Sequence, residues 1–359
     1  MEQITRIGLD TSKSVFQVHG VDGAERTVVK RRLTRAKMLA FFERLPPCLV
    51  VLEACGASHH WARVLRGLGH EVRLIAPQLV KPYVMRGKND ASDAAALCEA
   101  ASRPRMRFVP VKTPEQQAGL MLAGLRDKLI RRRTQLANGI RGYAAEFGLV
   151  AAKGLERIEE LLLRTQTEPG VPDLARRLFA GLAQDYAVAQ ARVSEVEAEL
   201  QAWHRTSEQS RRLAEMPGIG PVGAALLTMK IPDPAAFRSG RDVAAWLGLT
   251  PRNHSTAGRQ KLGVITRAGD EALRSVLVAG AMSVIRQAKL GRGQPSVWLL
   301  GMLARKPLKL VAVALANKMA RAAWRLMRTG QSYDPDRAAG PARPAPTAAH
   351  PTPAAAQPA

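Results

Sequence analysis

Four carboxylates and one hydroxyl stand out in this chain of 359 residues. Asp10 closes the apolar stretch IGLD, Glu53 closes VVLE, and Asp90 and Asp93 open the helix-prone run KNDASDAAAL. An i, i+3 pair lies on one face of a helix. Each acid also has an ordinary explanation. Asp is a favoured N-cap and acids in a first turn suit the helix dipole; Asp10 precedes the turn-forming TSK; Glu53 reads alone as a strand-end acid paired with an arginine. Together they point further. Four carboxylates converging from three elements repel one another unless a divalent cation neutralises them, and hard oxygen ligands suit Mg²⁺, with Mn²⁺ as a substitute. Two such ions about 4 Å apart are the usual device for in-line phosphoryl transfer. The hydroxyl is Ser255, in a glycine-flanked loop with Arg252, His254, Arg259 and Lys261. Cations around a serine stabilise its alkoxide for attack on a phosphodiester, although a loop serine beside glycine is also a common turn residue.

The elements that must position these groups are legible in the hydropathy pattern. ITRIGLD and KSVFQVHGVD are apolar or alternating, and AERTVVKRR follows a VDG turn, so residues 4–31 predict three strands. A helix follows at about 34–44. CLVVLEAC is a short, nearly continuous apolar run, as in a strand buried on both faces. Then come a helix (SHHWARVLRGLG), a strand (EVRLIAP) and the helix opening at Asp90. The order β-β-β-α-β-α-β-α is that of an α/β ribonuclease-H-like (RuvC-like) domain. In that fold the strands ending at Asp10 and Glu53 are parallel neighbours, so both carboxylates emerge at one sheet edge.

Downstream the pattern is helical. From Pro114 to about Phe147 the chain is helical and very basic. Between 179 and 203 the apolar positions Phe179, Leu182, Tyr186, Ala189, Val193, Val196, Leu200 and Trp203 alternate in steps of three and four. That spacing predicts a coiled coil or long helical hairpin, or an amphipathic helix packed on its own domain. In LAEMPGIGPVGAALL, residues 213–227, a helix end meets Gly218-Ile219-Gly220 and another apolar helix. This is a helix-hairpin-helix pattern, whose glycines allow a tight turn with backbone N–H groups facing a phosphate; a plain interhelical turn has the same signature. The expected division is 1–112 for the α/β domain, 113–210 for basic helices and coiled coil, 211–333 for a second helical, basic domain, and 334–359 for an Ala/Pro-rich disordered tail.

Composition bounds the function. Fifty-four Lys and Arg face 30 Asp and Glu, a formal net charge of +24, so the chain associates with polyanions through counterion release. No run of 18 or more apolar residues marks a membrane span, and MEQITRIGLD has no signal-peptide stretch. Cys48, Cys55 and Cys98 lack metal-ligand spacing and read as reduced, buried thiols of a cytoplasmic, nucleoid-associated protein.

IGLDTSKSVFQVHGVD, LEACGASHHWARVLRGLGHEV, KNDASDAAALCEA, MPGIGPVGAALL and WLGLTPRNHSTAGRQKLGVITRAGDEALR occur in this order. With these motifs, about residues 4–330 strongly resemble bacterial insertion-sequence transposases that carry an N-terminal DEDD, RuvC-like domain and a C-terminal serine domain, the bridge-RNA-guided recombinases. The resemblance implies that Asp10, Glu53, Asp90 and Asp93 bind Mg²⁺, and that Ser255 forms a transient phosphoserine link to DNA. Counting from LTPR favours Thr256 for that role and counting back from ITRAG favours Ser255; serine has the less hindered hydroxyl. The resemblance further implies donor and target DNA as partners, a structured guide (bridge) RNA, and a homo-oligomer, dimer or tetramer, in which the acids of one subunit meet the serine of another. Gly218, Gly220, Arg252, Arg259 and Lys261 are the expected nucleic-acid contacts. Two rival readings follow from the same residues: a RuvC-like hydrolytic junction nuclease using water, and a non-catalytic nucleic-acid-binding protein whose acids are caps and turns.

Overall fold

The computed structural model describes residues 3–84, 90–256, 259 and 261–335, apart from the side chains of residues 90 and 91. The expected tail from 336 onward lies outside the described residues. The chain divides into two compact units, Met1–Met121 and Leu122–Ala359.

The first unit contains β1 (Arg6–Thr11), β2 (Val15–Val21), β3 (Thr27–Thr34), α1 (Arg35–Glu43), β4 (Leu49–Glu53), α2 (Ser58–Gly67), β5 (Glu71–Ile75), α3 (Pro77–Val80), α4 (Asp90–Ala101) and β6 (Phe108–Val109). The strands form one sheet in the order β3-β2-β1-β4-β5-β6. β1, β2 and β3 are antiparallel neighbours, whereas β1–β4 and β4–β5 are parallel. The meander followed by parallel crossovers is consistent with the ribonuclease-H-like order. The two-residue β6, antiparallel to β5, is an addition that so short a segment does not signal in sequence.

Period-two alternation divides this sheet between two cores. Ile7 and Leu9 of β1, Val50 and Leu52 of β4, and Phe16 and Val18 of β2 face Met38 and Phe42 of α1 and Trp61, Ala62 and Leu65 of α2. The opposite face places Val51 and Ile75 against Ala96, Leu97 and Ala100 of α4. β4 is therefore covered on both sides, which is why its sequence is an unbroken apolar run.

The second unit is mostly helical. It holds the greater part of α5 (Pro114–Ala145), then α6 (Ile158–Thr167), α7 (Asp173–Thr206), α8 (Glu208–Ala214), α9 (Pro221–Lys230), α10 (Gly240–Trp246), the hairpin β7 (Pro251–Asn253) and β8 (Leu262–Ile265), α11 (Glu271–Lys289), α12 (Val297–Arg305) and α13 (Leu308–Thr329). Local signals set several boundaries. Ser207, Ser239, Asp270 and Ser296 accept N-cap hydrogen bonds, and Gly330, at φ 67°, ends α13 in the left-handed conformation.

The heptad stripe of α7 is covered within the chain. Phe179 and Tyr186 pack with Ala137, Ile140 and Ala144 of α5 and with Ile158, Leu161 and Leu162 of α6, while Leu200 joins the core built by α8, α9, α11 and α13. Arg126 and Arg133 of α5 bind Glu197 and Gln190 of α7 across the same seam. Val193 and Val196 are 2% and 5% exposed, so the stripe is satisfied within one chain. This packing is that of an amphipathic helix on its own domain, and under four heptads specify an apolar face but not who covers it.

Candidate active site

Asp10, Glu53 and Asp93 lie where β1, β4 and α4 converge. The parallel register sets Leu9 beside Leu52, and its continuation sets Asp10 beside Glu53 at the carboxyl ends of adjacent strands. Strands of one sheet are about 4.8 Å apart, so the two side chains leave one face as neighbours. That face is the one that carries α4, because Asp10 shares the alternation of Gly8, and Glu53 that of Val51. Gly8 is the seat of the helix. A methyl group there would collide with the Ala94 carbonyl oxygen and come within 3.2 Å of the Cys98 amide nitrogen. Only the missing side chain lets α4 lie that close to β1. Asp93, one residue before Ala94, is thereby brought against Glu53.

The electrostatics report this proximity. The Glu53 carboxyl is held above its usual range by burial, and next by the negative charge of Asp93. No described lysine or arginine forms an ion pair with Glu53 or Asp93, although the chain carries 54 such residues. Asp10, in β1, sits half-buried between Gln17 of β2 and the β4 edge. The Asp90 side chain lies outside the described residues; its backbone begins α4, three positions before Asp93. Among the described residues no group of three His, Cys, Asp or Glu side chains is arranged as a metal-ligand set. Repulsion between neighbouring carboxylates is on the order of 2–4 kcal/mol at contact distances and an effective dielectric near 20. Carboxylate oxygens are hard donors, the type that Mg²⁺ or Mn²⁺ takes, and a dication would remove that cost.

The serine lies on the hairpin of the second unit. Ser255 N–H donates to Asn253 Oδ1 at 2.9 Å, an Asx turn that starts the loop. Its Oγ accepts the Lys261 backbone N–H at 3.0 Å, so the hydroxyl oxygen is fixed while its proton remains available. The His254 N–H to Lys261 carbonyl bond, 2.8 Å, closes the loop from the other side. Thr256 differs: its backbone pairs with Arg259 in both directions. Ser255, Arg252, Arg259 and Lys261 are all exposed, and none of these three cations forms a salt bridge to a described carboxylate. The loop carries an exposed hydroxyl on the same hairpin as three exposed cations.

Two other expectations gain structural detail. Gly218, at φ 87°, is required by packing: a methyl there would stand 2.8 Å from Met319 Cε and 2.9 Å from the Gly280 carbonyl oxygen of α11. The turn between α8 and α9 thus uses this glycine to close on α11. Gly220 has open space about it and is exposed. Cys48 and Cys98 are buried free thiols, and burial pushes both up to about 11. Cys55 is only half-buried, with Sγ 3.4 Å from Thr11 Oγ1. The functional residue missed in sequence is Gly8; a glycine inside a strand was its only signal.

Two family models and several relatives match this chain. A family model described as a transposase, of the DEDD IS110 type, matches residues 7–147, and one described as transposase IS116/IS110/IS902 family matches residues 210–294. A Sinorhizobium fredii protein carrying the transposase name y4pF/y4sB is 61% identical over 93% of this chain and 86% of its own length. A Pseudomonas aeruginosa protein named as a family 20 transposase is 49% identical over 92% of this chain and 99% of its own. The Yersinia enterocolitica transposase for insertion sequence element IS1328 is 38% identical over 93% of this chain and 99% of its own.

Proposed function

The chain belongs to the IS116/IS110/IS902 family of transposases, enzymes that cut and rejoin DNA, and on that premise we propose that it does so through Ser255, with Asp10, Glu53, Asp90 and Asp93 holding Mg²⁺ and a structured guide RNA selecting the DNA. The observation that carries the reading is that Asp10, Glu53 and Asp93 share the α4 face of the sheet, with no ion pair from a described lysine or arginine to Glu53 or Asp93. When bound, the metal supplies Lewis-acid polarisation of the phosphodiester and neutralises charge that develops on its oxygens.

The chain's own residues supply the rest. The Lys261 N–H holds Ser255 Oγ and stabilises negative charge on it as the hydroxyl proton leaves. A bond forms between Oγ and phosphorus, the bond to one DNA oxygen breaks, and that oxygen takes up a proton to become a hydroxyl. The reverse attack by a DNA hydroxyl on the phosphoserine releases Ser255 and restores a phosphodiester. Breakage and rejoining then balance without consuming water. Arg252, Arg259 and Lys261 hold the flanking phosphates, and the α8–α9 turn at Gly218 and Gly220 offers backbone N–H groups to a phosphate. The serine and the acids belong to different units, and we assign the working site to a homo-oligomer, a dimer or tetramer, in which one copy's acids meet another's serine.

The test is a trapped protein–DNA adduct. Ser255→Ala abolishes the adduct and strand exchange, Thr256→Ala leaves the adduct, and mass spectrometry of digested wild type finds the phosphate on Ser255. An adduct on Thr256 refutes the residue assignment. Metal-dependent cleavage that persists in the double Ala variant refutes the serine mechanism in favour of hydrolysis. Recombination that proceeds with RNA removed refutes guidance.

A further inference from the structure

A broad groove lies on the first unit away from the acids. It has a volume of about 950 Å³ and runs between the edge strand β3 and α1. Its half-buried floor includes Val29, Phe41 and Leu45, and Arg31, Lys37 and Arg44 stand exposed around it. None of the three cations pairs with a described carboxylate. Lys37 and Phe41 of α1 and its C-cap Arg44 sit at i, i+4 and i+7, one helix face, so the two charges flank the ring over roughly 10 Å of helix axis.

The groove is on the opposite side of the sheet from the acids. Val29, Arg31 and Leu33 alternate onto the face of the α1–α2 core, since Arg31 is registered with Val18 and Leu33 with Phe16. Lys30 and Arg32 alternate onto the other face, the one occupied by α4 and the acids.

We infer that this groove holds a single-stranded segment of RNA, with bases on the Phe41 floor and phosphates on Arg31, Lys37 and Arg44. Cations lining a groove around an apolar, aromatic floor match the chemistry of an unpaired strand, whose π-faces stack and whose phosphates need countercharge. The choice of RNA over DNA rests on the guide-RNA reading, and on position: a strand bound behind the sheet is held and not cut. β3 is the sheet edge, so its outer carbonyl and N–H groups and the exposed Thr27 offer partners to a 2′-hydroxyl, which is donor and acceptor.

Two charge-matched pairs in the full-length protein test this. Binding of a 12-nucleotide mixed-sequence oligoribonucleotide is measured by fluorescence anisotropy across salt. Arg31→Glu with Lys37→Glu weakens it about tenfold or more at 0.15 M salt and lowers the salt slope by about 1.4, two single-strand phosphate contacts. Lys30→Glu with Arg32→Glu, the same change of charge on the other face, weakens it less than about threefold. A 4-thiouridine in the oligonucleotide crosslinks to the segment 27–45, and the deoxy oligonucleotide of the same sequence competes poorly. Equal losses from the two pairs overturn the site, since generic charge then explains binding. Crosslinks elsewhere also overturn it, and equal competition by the deoxy strand overturns the assignment to RNA. These readouts need no recombination: RNA-dependent recombination with an unaltered groove response sinks only this proposal, whereas RNA-independent recombination sinks only the guidance reading.

Discussion

Replacing Gly8 with alanine tests whether the seat of α4 sets the acidic site. The new methyl group would overlap the Ala94 carbonyl oxygen and crowd the Cys98 amide nitrogen at 3.2 Å. Neither is the far end of a flexible side chain; both are helix backbone. Restoring ordinary van der Waals separation requires α4 to withdraw from β1 by roughly 1–1.5 Å. Asp93 is adjacent to Ala94 and moves with it, away from Glu53 and Asp10. A misplacement of about 1 Å at a reacting centre costs on the order of 100-fold in rate, and overpacking of this kind costs roughly 1–3 kcal/mol in stability. The expected result is therefore a folded protein, cooperative in urea and slightly less stable, whose divalent-metal-dependent DNA cleavage falls about 100-fold. Its DNA affinity is retained, because that comes from the basic surface. Cleavage at the wild-type rate in a folded Gly8→Ala protein would refute the claim that close β1–α4 contact positions the carboxylates.

Two further outcomes follow from the structure. Because the Glu53 carboxyl is raised by burial and by Asp93, its contribution to stability is fully present below the unfolded carboxylate range and is lost as pH rises through the raised folded value. Metal-free Asp93→Asn is thus expected to melt above wild type at pH 7 in EDTA, with the difference shrinking toward pH 4 and reversing when Mg²⁺ is added; an identical melting profile at every pH would sink the coupling. Val193→Asp puts an unpaired charge into a core where the valine is 2% exposed, so a loss of about 3 kcal/mol or more is expected in urea unfolding; a stable variant whose only change is a smaller light-scattering mass would show the stripe to be a subunit contact after all.

Element types along the first unit were legible because each buries its surface in a periodic way. β4 reads as apolar throughout since both its faces are covered, and β2 alternates since its faces differ. α4 begins at the residue where KNDASDAAAL predicts. Asp10 and Glu53 were recognisable as strand-end acids for the same reason: a carboxylate at the end of an apolar run is a local fact of sequence. Ser255 was marked only by its neighbours, and its held hydroxyl depends on a Lys261 amide six residues away. What covers an apolar face was not legible. The α7 stripe has the spacing of a coiled coil, but whether a second chain or α5 and α6 cover it depends on contacts distant in sequence. Glycine was equally ambiguous, since Gly218 in a phosphate-binding turn and Gly218 under Gly280 of α11 are the same letter. The sequence by itself determined which residues carry charge, alternate or break a helix, because these follow from chemistry within a few residues. Only the tertiary structure decided that Gly8 lets α4 approach, that Glu53 feels Asp93, and that Arg31 and Arg32 point to opposite faces of one sheet, because each depends on strand register and close packing between segments that the chain separates.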